Sequence, residues 1–282
     1  MRSDEEMLHL IVETGKKNGA LAIGISGSRT DSQVQTDQWQ DFDIIYLMAD
    51  IQPLVEQDAW LNAFGPRLIM QTPDAPSHHM DRFAYLMLFE DGQRIDLTLR
   101  PLSALDILSE EPGIEPLYDP NHLLKEIKAT DRSIFHFVLP NQDSFTAHCN
   151  EFWWVSTYVV KGLCRNQLIY AVDHLYQICW QELLWIEDCL LAIAAKDPIN
   201  VGKNHKFLPQ LLERETFDQL TAFLRFTTIE ACGDALIAIQ ERFDQSARQV
   251  SQLLSLTYDT TEAFNVKRHT KKWSEEKWGR KI

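Results

Sequence analysis

Apolar residues recur with helical spacing over residues 5–17, through Met7, Leu8, Leu10, Ile11 and Val12, and Asn18-Gly19 closes the segment. A short opening helix is predicted there. Leu21-Ala22-Ile23-Gly24-Ile25 then runs unbroken into Ser26-Gly27-Ser28, the pattern of a buried strand that ends in a turn. A second strand is expected over residues 43–48. Residues 83–89, turned at Glu90-Asp91-Gly92 into Arg94-Ile95-Asp96-Leu97-Thr98-Leu99, read as a hairpin, because an Asp-Gly pair accepts the backbone of a tight turn. Helical segments around 55–64 and 102–109 fall between these strands.

Beyond Leu139 the pattern changes. Pro140-Asn141-Gln142-Asp143-Ser144 reads as a loop, and the segments 151–163, 168–195, 207–214, 216–227 and 230–256 have the lengths and periods of bundle helices, with Pro198 and Gly202 marking a break. The chain is therefore expected to be α+β: a mixed sheet flanked by helices in residues 1–139, and an all-α helical bundle in residues 140–282. Trp153, Trp154, Trp180 and Trp185 are expected in the bundle core. There is no internal repeat or low-complexity segment.

The composition of the 282 residues, 45% hydrophobic and 24% charged, is that of a folded chain. No apolar run approaches the roughly 20 residues that cross a bilayer, and Met1-Arg2-Ser3-Asp4-Glu5-Glu6 lacks a leader's apolar core, so a cytoplasmic protein is expected. Cys149, Cys164, Cys179, Cys189 and Cys232 form no C-x-x-C pair and read as reduced core thiols. A formal charge of -14 opposes a phosphate backbone and argues against a nucleic-acid partner. The basic tail from Lys267 to Lys281 reads as a solvated or fraying helix end.

Twelve residues separate Ser28 from Asp41-Phe42-Asp43, which opens the second strand. Residues two apart on a strand project from one face, so Asp41 and Asp43 aim two carboxylates at one point. Like charges that close call for a counterion, and magnesium, held by one or two carboxylates plus phosphate oxygens, is the natural one. Asp96 would join them if its strand lies beside that of Asp43, as a further metal ligand or as the base for an attacking hydroxyl. The Gly27-Ser28 turn can offer backbone N–H groups and the Ser28 hydroxyl to phosphates. Taken singly, each acid could be a turn or hairpin surface residue; taken together they point to a metal-nucleotide site. Arg29 is open between a phosphate contact and an ion-pair partner of a nearby acid. His78-His79 lacks a third ligand at zinc spacing and reads as a loop.

In this order the motifs resemble the aminoglycoside 6-adenylyltransferases (streptomycin adenylyltransferases), within the polymerase-beta-like nucleotidyltransferase superfamily. The matching segments are Met1-Arg2-Ser3, Gly27-Ser28-Arg29-Thr30, Gln40-Asp41-Phe42-Asp43, residues 60–70, Leu88-Phe89-Glu90-Asp91-Gly92 and Ile95-Asp96-Leu97-Thr98-Leu99. In the helical half they are Cys149-Asn150-Glu151-Phe152-Trp153-Trp154, Tyr158-Val159-Val160-Lys161-Gly162-Leu163 and Gly202-Lys203-Asn204-His205-Lys206. The resemblance implies a nucleotidyltransferase domain followed by a helical domain that binds substrate and nucleotide. It further implies ATP and Mg2+ as cofactors, and transfer of AMP to the 6-hydroxyl of streptomycin with release of pyrophosphate.

By motif position Asp41 and Asp43 become metal ligands and Asp96 the third acid and base, while Lys203, Lys206 and Lys161 become candidates to reach the triphosphate. Asp31, where relatives more often carry Asn, and an apparently shortened segment over 72–82 bear on the acceptor rather than the chemistry. The acidic balance suits a cationic aminoglycoside, and Glu151, Glu182, Glu187 and Asp188 are candidates for its lining. No membrane or nucleic-acid partner is expected, and a monomer is favoured. A different small-molecule or protein hydroxyl as acceptor, or a non-catalytic nucleotide-binding protein, are the alternative functions.

Overall fold

The computed structural model describes residues 2–31, 34, 36–74, 81–108, 113–124 and 135–277, and packing divides the chain into two compact units, Met1–Arg132 and Ser133–Ile282. In the first, helix α1 (Asp4–Lys17) opens with a capping box: the Ser3 hydroxyl accepts from the Glu6 N–H, and the Glu6 carboxylate accepts from the Ser3 N–H. Strand β1 (Ala22–Ser26) leads into a single 3-10 turn over Gly27–Thr30, and strand β2 (Phe42–Met48) follows. The helix expected over 55–64 is split into α2 (Gln52–Glu56) and a 3-10 segment (Asp58–Phe64), and 102–109 supplies a 3-10 turn followed by α3 (Leu105–Leu108).

The hairpin forms as expected from β4 (Phe83–Phe89) and β5 (Arg94–Pro101), with Gly92 at φ 84° in its turn. Two further strands, β3 (Arg67–Gln71) and β6 (Glu115–Tyr118), had no signal in the pattern. The sheet order is β3-β4-β5-β2-β1-β6, antiparallel except for the central β2–β5 pair. That one parallel pair makes the sheet mixed. Phe42, Ile44, Tyr46 and Met48 bury one face of β2 with Met7 and Ile11 of α1; Ile45 and Leu47 bury the other with Leu108 and Leu124. Asp43, in phase with Ile45 and Leu47, lies on the face away from α1.

The second unit is helical. Helix α4 (Gln142–Cys164) begins nine residues before the expected start because Asn141 caps it, its Oδ1 accepting from the Ser144 N–H at 2.9 Å. The long helix expected over 168–195 is interrupted by a π turn (Leu175–Cys179) between α5 (Leu168–His174) and α6 (Trp180–Ala194). Short helices α7 (Leu208–Leu211) and α8 (Arg214–Ala222) precede α9 (Ile229–Leu254). Phe152 stacks face to face on Phe243 at 3.7 Å, with Trp153 edge-on to both rings. Trp180 is also buried, but Trp154 is exposed and Trp185 half-buried, which corrects the expectation that all four tryptophans are core.

The basic tail is not a frayed end over its described part. Helix α10 (Thr260–Lys277) docks through Ala263, Thr270 and Ser274, and Lys267 is paired with Glu241 and Asp244. All five cysteines are free thiols, and burial pushes those of Cys149 and Cys179 up to about 12. Among the described residues no helix is long and apolar enough to cross a membrane. His78-His79 lies outside the described residues.

Candidate active site

The β2–β5 register sets Asp43 directly opposite Asp96, and Ser26 of β1 faces Asp43 from the other side. Three strand ends therefore converge on one carboxylate. Asp41 stands two residues upstream, just before β2, and is linked to Asp96 through Arg94, which meets both. Gly27 follows Ser26 with φ at 73°, and a Cβ built on it would lie 2.0 Å from Asp43 Oδ2. Only glycine leaves the carboxylate where it is, since a methyl group there would meet the oxygen far inside contact distance and in a backbone region that L side chains avoid.

The glycine turn is stapled to the acid segment. Arg29 donates from Nε to the carbonyl of Asp41 and from Nη2 to that of Gln40, each at 3.0 Å, while Gln40 Nε2 donates to the Ser28 carbonyl at 3.2 Å. The Arg29 guanidinium also lies over the Phe42 ring at 3.7 Å and pairs with Asp4 at 2.7 Å. Three of its donors thus tie the turn to the acid segment and to Asp4 of α1. Thr30 adds hydrogen bonds from its hydroxyl to the carbonyls of Gly27 and Gly113.

Arg94 is the residue that the sequence did not single out. Its fork binds both oxygens of Asp96, at 3.0 and 3.1 Å, and its Nε lies 3.6 Å from Asp41 Oδ1. The hydrogen bonds to Asp96, followed by the charges of Asp96, Asp41 and Asp43, raise its pKa further, so it stays cationic. Its position on the acid face, two residues before Asp96, was the available signal. Among the described residues no three His, Cys, Asp or Glu side chains stand as a ready-made metal cage, and Arg94 holds Asp96 and Asp41 instead. The donor set itself suits a divalent hard cation: carboxylate oxygens on adjacent strands, a glycine that lets one of them approach the backbone closely, and a cation already drawn between two.

The candidates of the helical unit have separate surroundings. Lys161 is exposed, its ammonium 4.4 Å from the Tyr158 ring centre. Lys203 and Lys206 are also exposed and flank a tight loop in which Gly202, Asn204 and His205 all have positive φ. His205 Nε2 and Asp188 Oδ2 are 2.9 Å apart, which ties that loop to α6; burial raises the Asp188 pKa, and its Oδ1 has no hydrogen-bond partner. Glu182 meets His148 Nδ1 at 2.6 Å, His148 stacks on Trp185 at 3.8 Å, and burial raises the Glu182 pKa with a smaller push from exposed Glu151. Glu187, buried like Asp188, differs in its partners: it is gripped by Arg242 at 2.8 and 2.5 Å and by Ser246 at 2.5 Å, an ion pair internal to the helical unit.

The fold thus brings a glycine turn, an acid pair at the start of the central strand and a third acid in register on its parallel neighbour to one place. The sequence profile described as streptomycin adenylyltransferase matches residues 1–273. The chain is 32% identical over 266 residues to the aminoglycoside 6-adenylyltransferase of Bacillus subtilis, covering 92% of this chain and 93% of that protein. It is 33% identical over 265 residues to the aminoglycoside 6-adenylyltransferase of Campylobacter jejuni, covering 92% and 91%. A solved aminoglycoside 6-adenyltransferase from Bacillus subtilis superposes with a TM-score of 0.49 at 27% identity, covering 97% of this chain and 99% of that one. The chain belongs to the streptomycin adenylyltransferase family, and it is an enzyme of the nucleotidyltransferase class.

Proposed function

We propose that the protein transfers AMP from Mg-ATP to the 6-hydroxyl of streptomycin and releases pyrophosphate, with residues 1–139 as the catalytic domain and 140–282 as the substrate- and nucleotide-binding domain. The observation that carries this reading is the in-register pair Asp43–Asp96, with Asp41 just before β2 and Gly27 packed against Asp43. The acceptor follows the family description and the relatives' names. Asp41 and Asp43 are the residues to hold magnesium, with Asp96 as a further ligand or as the base. Magnesium bound there supplies charge neutralisation and Lewis acidity at phosphorus.

The residues of this chain do the remaining work. Asp96 takes the proton of the attacking hydroxyl, so that the new O–P bond forms as the bond to pyrophosphate breaks. Gly27 and Ser28 present backbone N–H groups, and Ser28 its hydroxyl, to the phosphates. Lys203, Lys206 and Lys161 are assigned to the triphosphate. Glu151, Glu182 and Asp188 are assigned to the cationic acceptor, with Glu182 oriented by His148. The test is pyrophosphate release from Mg-ATP with and without streptomycin. Streptomycin-dependent release that is nearly abolished in Asp96→Asn supports the reading. Binding of ATP without release across a panel of aminoglycosides would move the acceptor elsewhere.

A further inference from the structure

Arg94 is a cation that touches two members of the acid cluster, Asp96 and Asp41. Its guanidinium spans both oxygens of Asp96 and approaches Asp41 to 3.6 Å, so the edge of Asp96 that faces Asp41 is covered. A carboxylate covered along that edge is poorly placed either to accept a hydroxyl proton or to share an ion with Asp41. A structural brace would be expected to be well covered, as the Arg29 side chain of the glycine turn is at 9% exposure. Arg94 is instead 45% exposed on β5. The same planar fork that fits a carboxylate fits a phosphate equally well.

We propose that Arg94 is a resident counter-cation of the acid cluster, which stands in for the divalent ion while the site is free and moves from Asp96 and Asp41 to a phosphate when metal-nucleotide enters. This rests on the reading of Asp41, Asp43 and Asp96 as metal ligands. It implies that divalent binding without nucleotide is weak because an internal competitor must be displaced, and that metal and nucleotide enter together.

The test is Mn2+ binding to the full-length protein without nucleotide, followed by electron paramagnetic resonance, for wild type, Arg94→Gln, Arg94→Lys and Asp43→Asn. Removing a partly exposed charge-assisted pair at the ligands should tighten Mn2+ in Arg94→Gln by about tenfold. Arg94→Lys, which keeps the charge but not the fork, should fall between that variant and wild type. The Arg94→Gln variant should also show a raised KM for ATP. Mn2+ affinity in Arg94→Gln equal to or below that of wild type, with Asp43→Asn still abolishing binding, would overturn the proposal and make Arg94 a brace. If Asp43→Asn leaves Mn2+ binding intact, or no variant binds, the metal reading itself fails.

Discussion

Replacing Gly27 by alanine adds one methyl group, and its consequences can be worked from the site. The new Cβ would lie 2.0 Å from Asp43 Oδ2 and 2.8 Å from its Cγ. Such contacts do not persist below 3.0 Å, so the Asp43 side chain must retreat by at least about 1 Å or the turn must shift. Left-handed φ at a non-glycine residue costs about 1–2 kcal/mol more. A displacement of about 1 Å in a group that positions reactants can cost on the order of 100-fold in rate. Gly27→Ala should therefore lose about 100-fold in kcat/KM for pyrophosphate release, with a Tm lowered by only a few degrees.

Gly19→Ala separates strain from displacement. Gly19 has φ at 83° but nothing within 4 Å of a built Cβ, so this variant carries the backbone cost alone. Its kcat/KM should stay within about twofold of wild type. If Gly27→Ala remained within threefold of wild type, or Gly19→Ala lost as much as Gly27→Ala, the argument that Gly27 is required by the Asp43 carboxylate would be wrong.

Arg242→Ala strands the buried Glu187 charge and should cost about 3–5 kcal/mol, seen as a Tm drop of roughly 10 °C. Glu182→Gln, at an acid we propose for the acceptor, should leave Tm nearly unchanged and raise KM for streptomycin while KM for ATP stays the same. The hydrogen bonds of Arg2 hold the Asp91 carboxyl below the usual carboxylate range, so this pair stabilises the fold above about pH 4 and loses that contribution as pH falls toward the lowered native value. Asp91→Asn should accordingly cost about 1 kcal/mol at pH 7 by chemical denaturation, with the gap to wild type narrowing below about pH 4.

The parts of the fold that were legible share one property, a regular apolar pattern with turn residues at its ends. Strands β1, β2, β4 and β5 bury most of their residues, and the Asp91-Gly92 turn fixes their hairpin. β3 was not legible because it is an edge strand with no residue fully buried, and β6 because it is four residues long and contains Pro116. Helix α10 packs through Ala263, Thr270 and Ser274 with only Val266 and Trp273 as larger apolar side chains beside them, a thin stripe among many charges. The π turn within 168–195 follows from packing and has no marker in local sequence.

The acid positions were legible for a different reason. Asp43 stands at the start of a strongly apolar strand with Asp41 just before it, and the condition placed on Asp96, that its strand neighbour that of Asp43, is met by the parallel register. Which acids of α6 face inward was not legible. Glu187 and Asp188 are adjacent and both buried, and only their partners, Arg242 on α9 for one and His205 for the other, tell them apart. The partners of Arg29 and Arg94 are likewise set by which carbonyls and carboxylates the fold brings to each guanidinium.

The central claim is that this acid face moves AMP onto an aminoglycoside hydroxyl, and mass spectrometry of streptomycin incubated with Mg-ATP and the protein tests it most directly. The account predicts one AMP added per streptomycin by the wild-type protein and none by Asp96→Asn, with the variant still folded. Unmodified streptomycin from an ATP-binding wild type, or equal product from Asp96→Asn, would contradict it.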